Sequence, residues 1–240
     1  MPVSRLAIMQ PYVFPYLGYF HLIEATDLIV FFDDVTFRKR SWINRNRILL
    51  DGREHLFTIP VSGASQNKRI DEVELSPDPQ WLRKFQLTLR HAYGNAPHFD
   101  GVSDMVTSVL GGPHQTIADL AIASIAGVYD FLDLPWQHTR SSVCSPGTRD
   151  LAGSARLIRI AQDLGADEYV NAPGGRDLYR ATDFRDGGLQ LSFVESLGFE
   201  YDQLSRGPFV PWLSILDVLM FNDRPSVRLV FSKFRLLPGE

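Results

Sequence analysis

Residues 5–46 begin Arg5-Leu6-Ala7-Ile8-Met9-Gln10-Pro11-Tyr12-Val13-Phe14-Pro15-Tyr16-Leu17-Gly18-Tyr19-Phe20 and run amphipathically to Asp27. They continue Leu28-Ile29-Val30-Phe31-Phe32-Asp33-Asp34 and close on Arg38-Lys39-Arg40-Ser41-Trp42-Ile43-Asn44-Arg45-Asn46. Two short apolar runs with an amphipathic stretch between them predict strand, loop, helix, strand and then a basic loop. Pro15 suits the first helical turn. Polar residues gather where both strands stop, and open α/β sheets place their ligands at that edge. We therefore expect the functional site there.

Working outward, Arg47–Leu50 and His55–Val61 read as two strands around Asp51-Gly52, and 70–75 alternates like an edge strand. Beyond Pro77 and Pro79 the pattern turns helical, over 81–93, 102–110 and 116–132. Residues 136–142 predict a strand, Cys144–Gly147 a turn, and Leu151–Leu164 an amphipathic helix stopped by Gly165. Glu168–Asn171 is a short strand running into Ala172-Pro173-Gly174-Gly175. Residues 176–184 look helical, 189–193 like a strand, and 213–221 like a last helix. The order predicts an α/β core over 1–75 and 135–240, with a parallel-containing sheet, and a mainly helical insert over 76–134.

Composition narrows the function classes. A net charge of −4 gives no support to nucleic-acid binding, which wants a basic surface. One cysteine excludes an internal disulfide framework and fits a reducing cytoplasm. No apolar run reaches the length of a membrane span. The expectation is a cytoplasmic protein with a small-molecule substrate.

Several groups could carry chemistry. Gln10, Tyr16, Gly18 and Tyr19 sit at a strand end and helix start, where free N–H groups favour an anion. The same Pro, Tyr and Phe residues would also pack a sheet edge with no ligand. Asp33-Asp34 can act as base or hold Mg²⁺, or can be a solvated turn. Lys39, Arg40, Arg45 and Arg47, interleaved with Trp42, Asn44 and Asn46, suit a phosphate or carboxylate, since guanidinium groups bind it in bidentate fashion beside a stacking ring. Asn171, Gly174, Gly175 and Tyr179 form a second strand-loop-helix corner. Cys144, with His138 upstream, is a conceivable nucleophile, although a single cysteine is more often inert. The histidines show no zinc-site spacing, and no P-loop, dinucleotide fingerprint or nucleophile elbow occurs.

The blocks Ala7–Tyr12, Phe14–Phe20, Asp33-Asp34-Val35 and Lys39–Ile48, with Tyr169-Val170-Asn171, Gly174-Gly175, Leu178-Tyr179 and Leu213–Asn222, resemble the WbqC-like family over nearly the whole chain. The resemblance implies a bacterial protein tied to surface-polysaccharide (O-antigen) or specialised-metabolite biosynthesis. Cys144 is not part of that pattern. Separately, Tyr16-Leu17-Gly18-Tyr19 stands where nucleotidyltransferases related to class I aminoacyl-tRNA synthetases carry His-x-Gly-His. That likeness implies a Rossmann-like, HUP-like sheet. Tyrosine donates a hydrogen bond but carries no positive charge, so the fold can be shared without the reaction.

The leading expectation is a biosynthetic transferase acting on a phosphate-bearing or activated substrate, nucleotide-linked or carrier-bound. Asp33, Asp34, Lys39 and Arg45 are its catalytic candidates. Gln10, Tyr16, Gly18, Tyr19, Arg40, Trp42, Asn44, Asn46, Asn171, Gly174, Gly175 and Tyr179 are its substrate-binding candidates. Mg²⁺ is the one cofactor the residues suggest, with no dedicated protein metal site. Two alternatives stand beside it: amide-forming acyl or aminoacyl transfer through Cys144, and a non-catalytic binding or scaffold protein.

Overall fold

The computed structural model describes residues 3–65, 67–76, 78–204 and 207–239. The chain opens with β1 (Arg5–Met9), α1 (Leu17–Glu24) and β2 (Leu28–Phe31). A hairpin follows, β3 (Arg45–Leu50) and β4 (Arg53–Thr58), then the two-residue strands β5 (Val61–Ser62) and β6 (Glu74–Leu75). Three helices come next, α2 (Pro79–Tyr93), α3 (Phe99–Leu110) and α4 (Ile117–Phe131). The second half holds β7 (His138–Arg140), α5 (Ser141–Cys144), α6 (Gly153–Asp163), β8 (Glu168–Asn171), α7 (Ala181–Asp186) and β9 (Gln190–Ser196). It closes with α8 (Ile215–Phe221), α9 (Arg224–Phe231) and β10 (Phe234–Pro238).

Six strands form one sheet in the order β10-β9-β8-β1-β2-β7. The five strands from β9 to β7 run parallel, and β10 is antiparallel to β9. The chain thus builds outward from β1 to β7, then returns to the other side of β1 with β8. A sheet whose winding reverses beside β1 leaves a crevice at the carboxyl ends of β1 and β8.

Alternate residues of the inner strands face opposite ways, so each face has its own core. Ala7, Ile29, Phe31 and Val170 belong to one cluster with residues of α1, α2, α3, α4, α8 and α9. Leu6, Ile8, Val30, Tyr169 and Leu191 belong to the other, with α6 and α7. Local signals agree with these placements. Thr116 and Asp119 form a reciprocal capping box at α4, and Asp78 caps α2 ahead of Pro79. The hairpin turns on Asp51 (φ 52°) and Gly52 (φ 71°), the left-handed pair that a two-residue turn requires.

Several elements differ from the sequence reading. Residues 70–72 form a 3-10 turn ahead of β6, at whose start the Arg69 N–H donates to the Glu72 carboxylate at 2.9 Å. The expected strand 136–142 is only three residues long, since at Ser141 the chain coils into α5, which also replaces the expected turn at Cys144. The helix expected over 176–184 begins at Ala181. Leu213–Phe221 is not the last helix: α9 and β10 follow, with α9 started by the Asp223 cap and Pro225. Pro77, one of the two prolines beyond which the sequence pattern turns helical, lies outside the described residues. No described helix is long and apolar enough to cross a membrane.

Candidate functional site

Where β1 ends, the chain does not enter α1 directly but makes a loop over 10–16 that other segments clamp. Phe14 sits at φ 40°, a left-handed conformation that costs a bulky residue of order 1–3 kcal/mol. The clamps offset that cost. The Phe14 carbonyl accepts from Asn46 Nδ2 at 2.7 Å and from Ser214 Oγ at 2.7 Å, while its N–H donates to Ser124 Oγ at 2.8 Å. Val13 donates its N–H to the Ile43 carbonyl, and Ile215 donates to Pro15. Tyr19 is buried and donates its hydroxyl to the Gln10 carbonyl at 2.8 Å.

Clamped in this way, the loop and the basic segment enclose a cavity of about 230 Å³. It is lined by Tyr12, Pro15, Tyr16, Trp42, Asn46, Arg47 and Trp212. The Arg47 guanidinium lies 5.0 Å from the centre of the Trp42 ring, and that of Arg45 lies 5.5 Å from it. Arg47 Nη1 pairs with Glu54 at 2.7 Å, but its Nε is buried with no hydrogen-bond partner. Arg45 donates its Nε to the Ser41 carbonyl and makes no ion pair among the described residues. Burial raises the pKa values of Tyr12 and Tyr16, and the nearness of Tyr16 adds to the effect on Tyr12. Both phenols therefore stay protonated and can donate to an oxygen of a ligand. Cations, protonated phenols and an indole face suit an anionic group attached to something flat or apolar.

A profile of the WbqC-like protein family matches residues 10–229, which include every residue lining this cavity. The chain belongs to the WbqC-like protein family. It is similar to the uncharacterized protein Rv1507c of Mycobacterium tuberculosis (strain ATCC 25618 / H37Rv), with 28% identity over 228 residues, covering 92% of this chain and 94% of that protein. No solved structure matches.

In this WbqC-like chain the other expected site residues take different places. Asp33 and Asp34 are buried and are not among the residues lining the cavity. Asp33 accepts from the Ser142 N–H (3.1 Å), from Ser142 Oγ (2.8 Å) and from Ser141 Oγ (3.2 Å). Asp34 accepts from Ser141 Oγ, from Arg149 Nε at 2.9 Å and from Arg156 Nη2 at 2.7 and 2.8 Å. Burial by itself would raise the Asp34 pKa, but the bonds from Ser141, Arg149 and Arg156 hold its carboxyl below the ordinary carboxylate range. All four carboxylate oxygens are occupied, so this pair ties the end of β2 to α5 and α6. Among the described residues no group of three or more His, Cys, Asp or Glu could hold a metal ion.

Lys39 and Arg40 are exposed on the turn before Trp42, with Arg40 at φ 63°. Asn44 and Asn46 act as fasteners. Asn44 Nδ2 donates to the Ile59 carbonyl, and Asn46 Nδ2 donates to the carbonyls of Val13 and Phe14. Gly18 is tight because a Cβ there would meet the Tyr16 ring at 2.5 Å and Ser196 Oγ at 3.2 Å. Gly175 is tight as well, because the Asn171 amide lies where a Cβ would have to go, while Gly174 is open. Tyr179 packs edge-on against Phe184. Asn171, Gly174, Gly175 and Tyr179 line neither this cavity nor the one next to it. Cys144 is half-buried, and burial, reinforced by the charges of Asp33 and Asp34, pushes its thiol pKa up, the opposite of an activated nucleophile.

Four lining residues are not among the site candidates, Tyr12, Pro15, Arg47 and Trp212, although Arg47 lies in the basic segment and Pro15 reads as a helix start. Tyr12 lies inside the quoted stretch. Trp212 comes from the far end of the chain, and its signal is an exposed Trp after Pro211 in a loop without periodicity. A larger opening, about 930 Å³, lies between residues 71–79 and 110–116 and is lined by Asp71, Glu72, Glu74 and Asp78. Its acidic wall would repel an anion.

Proposed function

We propose that this WbqC-like chain is a bacterial biosynthetic transferase whose phosphate-bearing or activated small substrate binds between the β1 loop and the Trp42–Arg47 segment. The observation that carries the reading is the cavity that Arg47 lines together with Trp42, Tyr12 and Tyr16. A ligand anion there would meet a guanidinium, two phenols and an indole face. The cavity opens from the loop that follows β1. On the resemblance alone, we place the reaction in surface-polysaccharide or specialised-metabolite assembly.

In this reading catalysis rests on position and charge. Arg45 and Arg47 offset the charge that develops on the transferring group, and the Tyr12 and Tyr16 hydroxyls donate to its oxygens. Lys39 and Arg40, exposed nearby in sequence, steer the anion inward. Asp33 and Asp34 hold the β2 end in place, so the acceptor brings its own nucleophile. Any Mg²⁺ would arrive on substrate phosphates. Pyrophosphate titration by calorimetry tests the site: wild-type protein should bind, and Arg47→Ala should lose at least about tenfold in affinity. Unchanged affinity in Arg47→Ala would end the assignment.

The full occupancy of the Asp33 and Asp34 oxygens favours one second reading, a WbqC-like protein that binds its ligand without turning it over. Incubation with nucleotide sugars, acyl phosphates and aminoacyl donors, each with candidate acceptors, separates the two. Binding with no product from any donor supports the non-catalytic reading.

A further inference from the structure

Next to the anion cavity lies a second one of about 370 Å³, and the two share Tyr16 and Trp212. Those rings meet nearly edge to face, with centroids 5.8 Å apart and planes at 67°. The absence of a Cβ at Gly18 is what lets the Tyr16 ring lie there, since a methyl group would come within 2.5 Å of it. Trp212 stands 63% exposed at φ 61°, so the chain accepts a strained conformation without burying the indole. Together the two rings form a partition between neighbouring chambers.

The second chamber is walled by Leu17, Phe199, Phe209, Val210 and Leu213, and of its polar side chains His21, Ser196 and Tyr201 are engaged, while Glu200 is exposed at its edge. His21 Nε2 lies 2.9 Å from the Val230 carbonyl, which can only accept, so Nε2 carries the proton. Nδ1 then accepts from the Ser196 hydroxyl at 2.9 Å. Tyr201 donates to Asp217 at 2.6 Å, and the backbone N–H and carbonyl of Val210 are taken by Gln203. A sugar or a base placed here would find few partners for its polar groups and would lose its hydration. An alkyl chain has no such requirement.

We propose that this second chamber receives the apolar acyl portion of the same substrate whose anionic end lies at Arg47. The inference rests on the anion-site reading given above and narrows it to acyl groups joined to an anionic carrier. The two chambers are neighbours across Tyr16 and Trp212, and a chain that leaves the Trp42–Arg47 chamber over the exposed Trp212 indole would reach a mostly apolar space.

Three probes test it on the full-length protein: pyrophosphate, methyl phosphate and octyl phosphate, titrated by calorimetry below micellar concentrations. Each fully buried methylene improves binding by roughly fourfold, so octyl phosphate should bind at least about 30-fold more tightly than methyl phosphate even if half the chain is enclosed. Val210→Trp and Leu197→Trp place an indole at the wall and at the exposed lip of the chamber. Each should cut the octyl advantage below about threefold and leave pyrophosphate affinity unchanged. Equal binding of octyl and methyl phosphate, with Arg47-dependent pyrophosphate binding intact, would overturn the acyl inference alone. An octyl advantage that survives both substitutions would overturn it too, because the chain would then lie elsewhere. Pyrophosphate binding that is absent, or indifferent to Arg47→Ala, would remove the anion site and this inference with it.

Discussion

The carboxyl ends of β1 and β2 belong to paired strands of one sheet, and the polar groups near each include an arginine over an aromatic ring. Arg47 sits 5.0 Å from the centre of Trp42, and Arg156 sits 4.6 Å from that of Phe32. Their surroundings differ. At the β2 end every oxygen of Asp33 and Asp34 has a donor, and buried Arg156 donates its Nη2 to both Asp34 oxygens. At the β1 end Arg47 lines a cavity with two tyrosines, and Arg45, outside that lining, has no carboxylate among the described residues. The same residue types thus build a closed joint at one strand end and an open receptor at the other. Completeness of partners, more than residue identity, separates the two.

The sharpest break of that comparison is Asp34→Ala. It would leave the Arg156 guanidinium buried with the Thr148 hydroxyl as its remaining hydrogen-bond partner. Removing one partner of a buried ion pair costs about 3–5 kcal/mol, and for a chain of this size that lowers the Tm by about 10 °C. The equivalent truncation at the open end, Arg47→Ala, should cost stability less than about 1 kcal/mol, because its Glu54 pair is partly exposed. Chemical denaturation of the two variants side by side checks the contrast. Equal losses would mean that Arg47 is structural too.

For ligand binding the order reverses. Arg47→Ala should lower pyrophosphate affinity by about 10- to 100-fold, since hydrogen bonds to charged groups contribute about 1.5–3 kcal/mol. A milder variant at the closed joint, Arg149→Ala, removes the half-exposed partner of Asp34 and should leave pyrophosphate affinity within about twofold. Loss of binding in Arg149→Ala with the fold retained would show that the two strand ends communicate.

Much of this was legible in the sequence. The two apolar runs and the helix between them placed β1, α1 and β2 within a residue or two, because their patterns are strong and the strands are central. Of the candidates, Tyr16, Trp42 and Asn46 line the cavity, while Lys39, Arg40, Asn44 and Arg45 do not. The roles of Asp33, Asp34, Asn44 and Asn46 were not legible, since a polar side chain at a strand end looks the same whether it awaits a ligand or meets Arg156. Its partners come from residues more than a hundred positions away in the case of Asp34, and from a neighbouring loop in the case of Asn46. Trp212 was hidden for a related reason: only the crossing of the 210–214 segment over the β1 loop, through Ser214 to Phe14 and Arg47, makes it a wall. α9 and β10 were missed because their residues alternate charged and apolar over spans too short to reveal a period.

A second site with a buried carboxylate sharpens the comparison through pH. Asp217 is fully buried and accepts from Tyr93, Tyr201 and Gln203, all neutral donors with no cation. Burial raises its pKa, while the three hydrogen bonds oppose that shift without cancelling it. Asp34, held by two arginines, is shifted the other way. A lowered carboxylate stabilises the fold above its unfolded pKa near about 3.9, and this contribution is lost as pH falls through the folded value. A raised one contributes fully below about 3.9, and its contribution is lost as pH rises through the folded value. Asp217→Asn should therefore gain stability relative to wild type as pH rises from about 3.9 through the folded value, read in urea melts from pH 3 to pH 8. A difference that stays flat across that range would mean Asp217 titrates as it does in the unfolded chain.

The smallest expected effect falls on Cys144, which sits beside the closed joint. Burial and the charges of Asp33 and Asp34 favour the neutral thiol and outweigh the hydrogen bonds that oppose them. A residue that has to become a thiolate is poorly placed where the net local influence opposes ionisation. Its side chain instead packs with Phe32 against the apolar cluster beneath α6. Cys144→Ser should cost no more than about 1 kcal/mol and should leave pyrophosphate affinity and any measured turnover unchanged. Iodoacetamide should label Cys144 more slowly at neutral pH than it labels a free cysteine peptide. Faster labelling, or a stable acyl adduct on Cys144, would move the chemistry from the open strand end to the closed one and undo the distinction between them.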